Sequence, residues 1–337
     1  MRRTPARAAV RTGGLVAALV ALLGAAGQAR FDLQGHRGAR GLHPENTLEG
    51  FLEALAIGVT TLEMDVGMTR DGVMVVHHDV ALHPDVARGP DGAWVGRPTP
   101  MLHELDFEQL SALDVGRLRP GSAYAKRFPE QRGRDGVRIP RLSDVIAAAE
   151  RRSGRAIRYN VETKLNPEAP GATADPVVLA DAVVAELRAT GVECRALVQS
   201  FDWRTLRRVR ETAPEIATAC LSSEQESEDT IRRGAPGPSP WTSGLDVDGF
   251  QGSVPRMVHA AGCAVWSPNL GDIDAGAVAD AHALALRVVP WTVNEPGEMK
   301  ALLAIGVDGL ITDRPDLARA VLAEAARPLP PVFAVEP

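Results

Sequence analysis

The chain has 337 residues, of which 45% are apolar, 4% aromatic and 24% charged, with a formal net charge of −6. That length accommodates an α/β barrel carrying an insertion, and the scarcity of aromatics points to Ala, Val and Leu packing of strands against helices. The acidic balance argues against nucleic acid and anionic membrane surfaces as partners.

At the N-terminus Arg2, Arg3, Arg7 and Arg11 precede an uncharged run over 12–29 that is apolar from Leu15 to Leu23 and ends in Gly27-Gln28-Ala29. This pattern predicts a secretory signal peptide over 1–29, with an uncleaved anchor as the alternative. Its removal takes four arginines and no acids, leaving a formal charge of −10. The mature chain is then expected in the periplasm or outside the cell, with no stable membrane insertion.

Phe31 to Gly35 reads as a buried strand ending on His36-Arg37-Gly38. Asn46-Thr47-Leu48-Glu49 opens a helix whose apolar positions Leu48, Phe51, Leu52 and Leu55 follow the 3.6 period, and Gly58 ends it. A second strand over Thr60–Val66 carries Glu63 and Asp65, and after the turn at Asp71-Gly72 the β-rich Val73–Val76 leads to His77-His78-Asp79. From about 80 to 138 glycines, prolines and charges break the alternation, with a helix expected only over Leu105–Leu113. This segment reads as an insertion; its basic residues, Arg88, Arg97 and Arg127 among them, with Trp94 and Tyr124, are expected to cover a catalytic mouth.

A helix starting near Ser143 and running through Ala149 resumes the alternation, and further strands are read at Arg158–Glu162, Ala196–Ser200, Ile216–Leu221, Ala264–Ser267, Val288–Val293 and Gly309–Thr312. Eight strands in all predict a TIM (β/α)8 barrel over 30–327 with a small insertion after the second strand, and a flexible Pro-rich tail over 328–337. An open doubly wound sheet is the alternative. The barrel is preferred because Glu63, Asp65, Glu162, Gln199, Ser200, Trp291 and Asn294 all fall near C-terminal strand ends, which only a barrel gathers at one mouth. Cys194, Cys220 and Cys263 are too few and scattered for a disulfide scaffold or a Cys-based zinc site. They are expected to be small buried side chains, with one bridge and a leftover thiol as the alternative.

Glu63 and Asp65, two apart on a strand, share a face at about 7 Å by strand rise, and Glu162 ends the neighbouring strand. Three such carboxylates repel one another unless a hard divalent cation, Ca²⁺ or Mg²⁺, sits among them, or unless Lys164, Arg37 or Arg158 pairs with them. His36 and His78 can project into the same mouth as base and acid; His77, adjacent on an extended chain, points the other way. Arg37 and Lys164 offer positive charge for a phosphate, Trp291 and Asn294 a wall and a polar contact for an alcohol, and Glu45 a partner for Arg37. With no Gly-rich nucleotide loop, this set points to phosphodiester cleavage rather than nucleotide chemistry.

His36-Arg37-Gly38-Ala39, Pro44-Glu45-Asn46-Thr47, Glu63-Met64-Asp65-Val66, Thr69-Arg70-Asp71-Gly72, His78-Asp79, Glu162-Thr163-Lys164, Gln199-Ser200-Phe201 and Trp291-Thr292-Val293-Asn294 together resemble the glycerophosphodiester phosphodiesterase family. The resemblance, from about Phe31 to Leu322, implies a TIM barrel that hydrolyses glycerophosphodiesters to glycerol 3-phosphate and an alcohol with a divalent cation, Ca²⁺ or Mg²⁺. It implies His36 and His78 as the acid/base pair and Glu63, Asp65 and Glu162 as metal ligands. It further implies attack by the free glycerol hydroxyl through a cyclic phosphate; His36 is taken as base and His78 as leaving-group acid, with the reverse order as the alternative. A related barrel phospholipase acting on lysophospholipids or phosphoinositides is the competing reading.

Overall fold

A buried backbone must find hydrogen-bond partners, and runs as apolar as these do so by pairing side by side beneath helices. The computed structural model describes residues 30–334; the expected signal segment lies outside them. The elements run β1 (Asp32–Gly35), α1 (Leu48–Ile57), β2 (Thr61–Met68), β3 (Met74–Val76), α2 (Phe107–Ser111), α3 (Ala123–Arg127), α4 (Leu142–Ser153), β4 (Arg158–Thr163) and α5 (Pro176–Ala189). They continue with β5 (Ala196–Ser200), α6 (Trp203–Thr212), β6 (Ala217–Ser222), β7 (Glu224–Gln225), β8 (Glu228–Asp229), α7 (Val254–Ala261), β9 (Val265–Pro268), α8 (Ala275–Ala283), β10 (Arg287–Val288), α9 (Pro296–Ala304), β11 (Gly309–Thr312) and α10 (Pro315–Glu324).

Eight parallel strands lie in the order β10-β9-β6-β5-β4-β2-β1-β11. Backbone bonds from Asp308 N to Val288 O and from Ile311 N to Pro290 O, both 2.9 Å, tie the two ends of that order together. The result is a (β/α)8 barrel. The strand expected over Val288–Val293 is regular only at Arg287–Val288, since Pro290 has no N–H to give a neighbour.

α1 shows how local chemistry sets the mouth. Thr47 caps it by accepting from Gly50 N at 3.1 Å, Phe51, Ala54 and Leu55 face the barrel, and Gly58 ends it at φ 98°. The loop before it presses on the helix so closely that a Cβ at Gly38 (φ 91°) would sit 2.6 Å from the carbonyl carbon of Gly50. Only glycine fits there.

β3 is not a barrel strand. It folds back antiparallel on the overhang of β2, pairing Val66 with Val76 and Met68 with Met74, and returns the chain to the level of Asp65, where His77 N bonds Asp65 O at 3.0 Å. His78 therefore lies in a bend after a hairpin, and the insertion begins at the mouth by that route rather than by leaving a barrel strand. The insertion has its own core of Leu82, Val86, Ala87, Leu102, Leu110, Val115, Val137 and Ile139 with Val75. Its expected helix is present as α2, whereas α3, five residues capped by Ser122, is too short to leave a periodic signal.

Cys220 and Cys263 are buried as expected but form a disulfide joining β6 to the approach of β9, with Cα atoms 5.9 Å apart, and Cys194 is exposed, so the alternative of one bridge and a leftover thiol replaces the reading of three buried side chains. The register of β6 beside β9, which pairs Cys220 with Trp266, is what brings the two sulfurs together. The tail, expected to be flexible over 328–337, is hydrogen-bonded to the barrel as far as Phe333: Phe333 N bonds Leu55 O at 2.9 Å, Arg152 donates to Phe333 O at 3.0 Å and Arg319 to Pro330 O at 2.7 Å. Among the described residues no helix is long and apolar enough to cross a membrane.

Candidate active site

A line of polar side chains climbs the barrel interior. Gln34 donates to Asp32 (3.1 Å), Asn160 donates to both Gln34 (2.7 Å) and Gln199 (2.8 Å), and Gln199 donates to Glu63 Oε1 at 2.9 Å. Each is buried and, apart from Asn160 Oδ1, they satisfy one another, and together they fix Glu63 from below. From above, Arg37 N donates to Glu63 Oε2 at 2.8 Å; the left-handed backbone of Arg37 (φ 51°) aims this N–H inward.

Asp65 and Glu162 are register partners on β2 and β4. With Glu63 they bring carboxylate oxygens within 4.8 Å of one another. All three are buried. Asp65 Oδ2 accepts from Asn46 Nδ2 at 2.9 Å and lies 3.1 Å from Arg37 Nε, whereas its Oδ1 has no hydrogen-bond partner. Lys164 pairs with Glu162 at 2.5 Å and stands 3.6 Å from that bare Oδ1. The cationic partners expected as an alternative to metal are thus present in Lys164 and Arg37, yet they leave one buried carboxylate oxygen free. An all-oxygen set with a bare, inward-facing oxygen fits a hard divalent cation.

The electrostatics follow from this crowding. Burial pushes the Glu63 carboxyl well up, reinforced by Asp65 and Glu162 and opposed by the Arg37 N–H. Burial also opposes the charge on Asp65, but Arg37, His78 and Lys164 outweigh it and hold that carboxyl well below the usual range. Glu162 is pushed up to about 7 by burial, against the pull of Lys164 and with the help of Asp65.

Both histidines have an aspartate behind them. His36 Nδ1 lies 2.7 Å from Asp313 Oδ1, leaving Nε2 turned toward Glu63 Oε2 at 4.0 Å. His78 Nδ1 lies 2.6 Å from Asp79 Oδ1. With Nδ1–H donated to a carboxylate, each Nε2 carries the lone pair. Burial lowers His36 to about 4, Arg40 adding to the effect and Asp313 opposing it. Burial likewise lowers His78 to about 4, with Arg37 and Lys164 adding to it.

A cavity of about 420 Å³ opens above, lined by His36, Arg37, His78, Lys164, Phe201 and Trp291 among others. His77 is buried on the far side of the chain with its Nε2 unpartnered, so the alternation places His78 in the cavity. Asn294, expected to touch an alcohol, instead spends its carboxamide on Asp313: Nδ2 donates to Oδ2 at 2.8 Å and Oδ1 accepts from Asp313 N at 2.9 Å. Glu45 pairs with Arg37 at 2.7 Å and accepts a short hydrogen bond from Tyr124 of the insertion. Sequence reasoning missed Asp313, Arg40, Asn46 and Glu228, and it placed Tyr124 over the mouth without its bond to Glu45. Asp313 had a usable signal, a carboxylate directly after a barrel strand; Glu228 lies on a two-residue strand outside the barrel, too short to leave a pattern, and had none.

The barrel and its mouth define a phosphodiesterase-type (β/α)8 enzyme, and comparison with known proteins makes the class specific. The profile of the "Glycerophosphoryl diester phosphodiesterase family" matches residues 36–317. A crystal structure from Silicibacter pomeroyi DSS-3, "Putative glycerophosphoryl diester phosphodiesterase", is 35% identical, superimposes with a TM-score of 0.78 and covers 88% of this chain and 94% of its own. The Mycobacterium tuberculosis "Probable glycerophosphodiester phosphodiesterase 2" is 30% identical over 85% of this chain and 89% of its own length. The Bacillus altitudinis "Glycerophosphodiester phosphodiesterase" is 27% identical over 84% and 94%. The chain belongs to the glycerophosphoryl diester phosphodiesterase family and is a phosphoric diester hydrolase.

Proposed function

We propose that the chain hydrolyses glycerophosphodiesters to glycerol 3-phosphate and an alcohol by two-histidine catalysis beside a divalent cation held by Glu63, Asp65 and Glu162. The observation that carries this is that two Asp-backed imidazoles share one cavity with Glu162, whose carboxylate clusters with those of the buried Glu63 and Asp65. When bound, Ca²⁺ or Mg²⁺ supplies charge that stabilises the negative phosphoryl oxygens in the transition state.

The residues then divide the work. Arg37 and Lys164 orient the phosphate, and Trp291 gives the glycerol an apolar wall. His36, neutral because burial and Arg40 disfavour its charge, takes the proton of the free glycerol hydroxyl through Nε2. That oxygen bonds to phosphorus, the bond from phosphorus to the alcohol oxygen breaks, and the departing oxygen takes a proton from His78. The environment supports this assignment. His78 is held neutral partly by Arg37 and Lys164, and a phosphate bound to those two cations cancels their effect and allows His78 to be charged. His36 is depressed chiefly by burial and by Arg40, which is locked to Asp313, so the same phosphate leaves it a base. In the second half the roles reverse: His78 takes a proton from water, the hydroxide opens the cyclic phosphate, and His36 returns its proton to the glycerol oxygen.

Release of glycerol 3-phosphate from a panel of glycerophosphodiesters, with and without EDTA, tests the reading. Metal-dependent release is the expected result; full activity in excess EDTA would sink the metal assignment, and no release from any diester would sink the reaction. Because the chain begins with a basic, then apolar segment, the reading also places the enzyme outside the cytoplasm, which N-terminal sequencing of the exported protein checks.

A further inference from the structure

The reaction above uses the half of the mouth nearest His36. Past Phe201 the cavity continues into a second space of about 410 Å³, whose walls include Phe201, Trp241 and Glu228. Phe201 stands edge-on to Trp291, centroids 5.2 Å apart, and edge-on to Trp241 at 6.4 Å. Trp241 comes from the long loop between β8 and α7 and is oriented by its Nε1–H, which donates to Glu168 at 3.1 Å.

Three carboxylates line the two joined spaces. Asp79 is taken by His78 and Glu162 by Lys164. Glu228, exposed to solvent on its outer side, has no ion pair and no side-chain hydrogen bond among the described residues, and desolvation by the cavity wall pushes its carboxyl upward against the pull of Lys164 and Arg37. Of the neighbouring cations, Arg37 is paired with Glu45 and Asp65, Arg127 lies over the Tyr124 and Phe128 rings on the opposite wall and Arg97 is exposed at the rim, while Lys164 is paired with Glu162 and holds its Nζ 5.9 Å from the Phe201 ring centroid, which leaves the Trp241 side of the space to an incoming cation. An unpaired carboxylate at the exposed edge of a space walled by aromatic rings is complementary to a small organic cation, which gains from the charge and from the ring quadrupoles together.

We infer that Phe201, Trp241 and Glu228 form a subsite for an ammonium group on the alcohol half of the diester, so that the enzyme favours choline and ethanolamine diesters over uncharged ones. This rests on the phosphodiesterase reading for its place in the reaction and on the aromatic and acidic walls for its charge preference. Binding energy made there, away from the phosphorus, selects the substrate without altering the chemistry.

Two measurements test it. The ratio of kcat/KM for glycerophosphocholine to that for glycerophosphoinositol is expected above one in the wild type, and about tenfold lower in Glu228→Gln, with Trp241→Leu lowering it in the same direction. A ratio at or below one in the wild type, or one unchanged in Glu228→Gln, overturns the subsite. Separately, choline chloride alone is titrated against tryptophan fluorescence, a readout that needs no turnover. Saturable quenching that weakens about tenfold in Glu228→Gln is expected, and no quenching, or quenching indifferent to the substitution, overturns the proposal. Choline binding without cleavage of any diester would leave the subsite standing and remove the reaction reading instead.

Discussion

Asp313 accepts from His36 Nδ1, from Nε and Nη2 of Arg40 and from Asn294, which makes it the group that sets the tautomer of His36. Asp313→Asn is expected to lower kcat by about 10²- to 10⁴-fold with little change in KM, since a misassigned imidazole tautomer costs that much in analogous dyads; a changed KM with kcat intact would make Asp313 a binding residue. His78→Ala is expected to cost at least about 10²-fold in turnover and His77→Ala far less. The carboxylates separate by environment. Glu63, whose pKa is raised, carries a charge the metal-free fold disfavours above its ordinary pKa, so Glu63→Gln is expected to raise the melting temperature in EDTA at pH 8. Asp65, whose pKa is depressed, stabilises the fold throughout that range, and Asp65→Asn is expected to lower it by stranding Arg37 and Lys164. Both substitutions should abolish metal-stimulated turnover. The five residues proposed for the chemistry were legible because each stands at a strand end or in a short motif. Asn46 and Arg40 were not, since their work is done through contacts 19 and 273 residues away that no local pattern encodes.

At the scale of elements, seven of the eight barrel strands were readable to within two residues or so at each end, being apolar runs bounded by turn residues. β10 was not, because Pro290 ends its ladder while the apolar run continues. The disulfide was left open because pairing depends on the lateral register of β6 and β9, which sequence spacing does not contain. It closes a loop of 43 residues, for which chain entropy gives about 4 kcal/mol. Reduction is expected to lower the thermal midpoint while leaving turnover at room temperature intact, since neither sulfur lines the catalytic cavity; an unshifted midpoint in reductant would show the bridge to be dispensable. The insertion reaches the mouth, but most of its cations do not. Arg88 and Arg117 are held by Asp114 and Asp135, and it is His83, Arg97, Tyr124 and Arg127 that line the cavities.

Across the whole molecule, metal affinity should depend on pH with a definite sign. Glu162 sits near 7 and Glu63 is raised, so the metal-free site holds protons that a cation must displace. Affinity therefore rises with pH through about 7 and falls about tenfold per unit below it for each proton displaced. Calorimetric titration in buffers of different ionisation enthalpy checks both the slope and the proton release, and flat affinity from pH 6 to 8 would mean that these carboxylates are already ionised. The anchored tail bears on the opposite end of the barrel. It is fastened to the C-terminal turns of α1 and α4 and to α10, on the face where the strands begin. Coupled to a bead or a fused carrier through that end, the enzyme stands with its mouth turned outward, and substrates too bulky to pass between protein and support still reach the histidines.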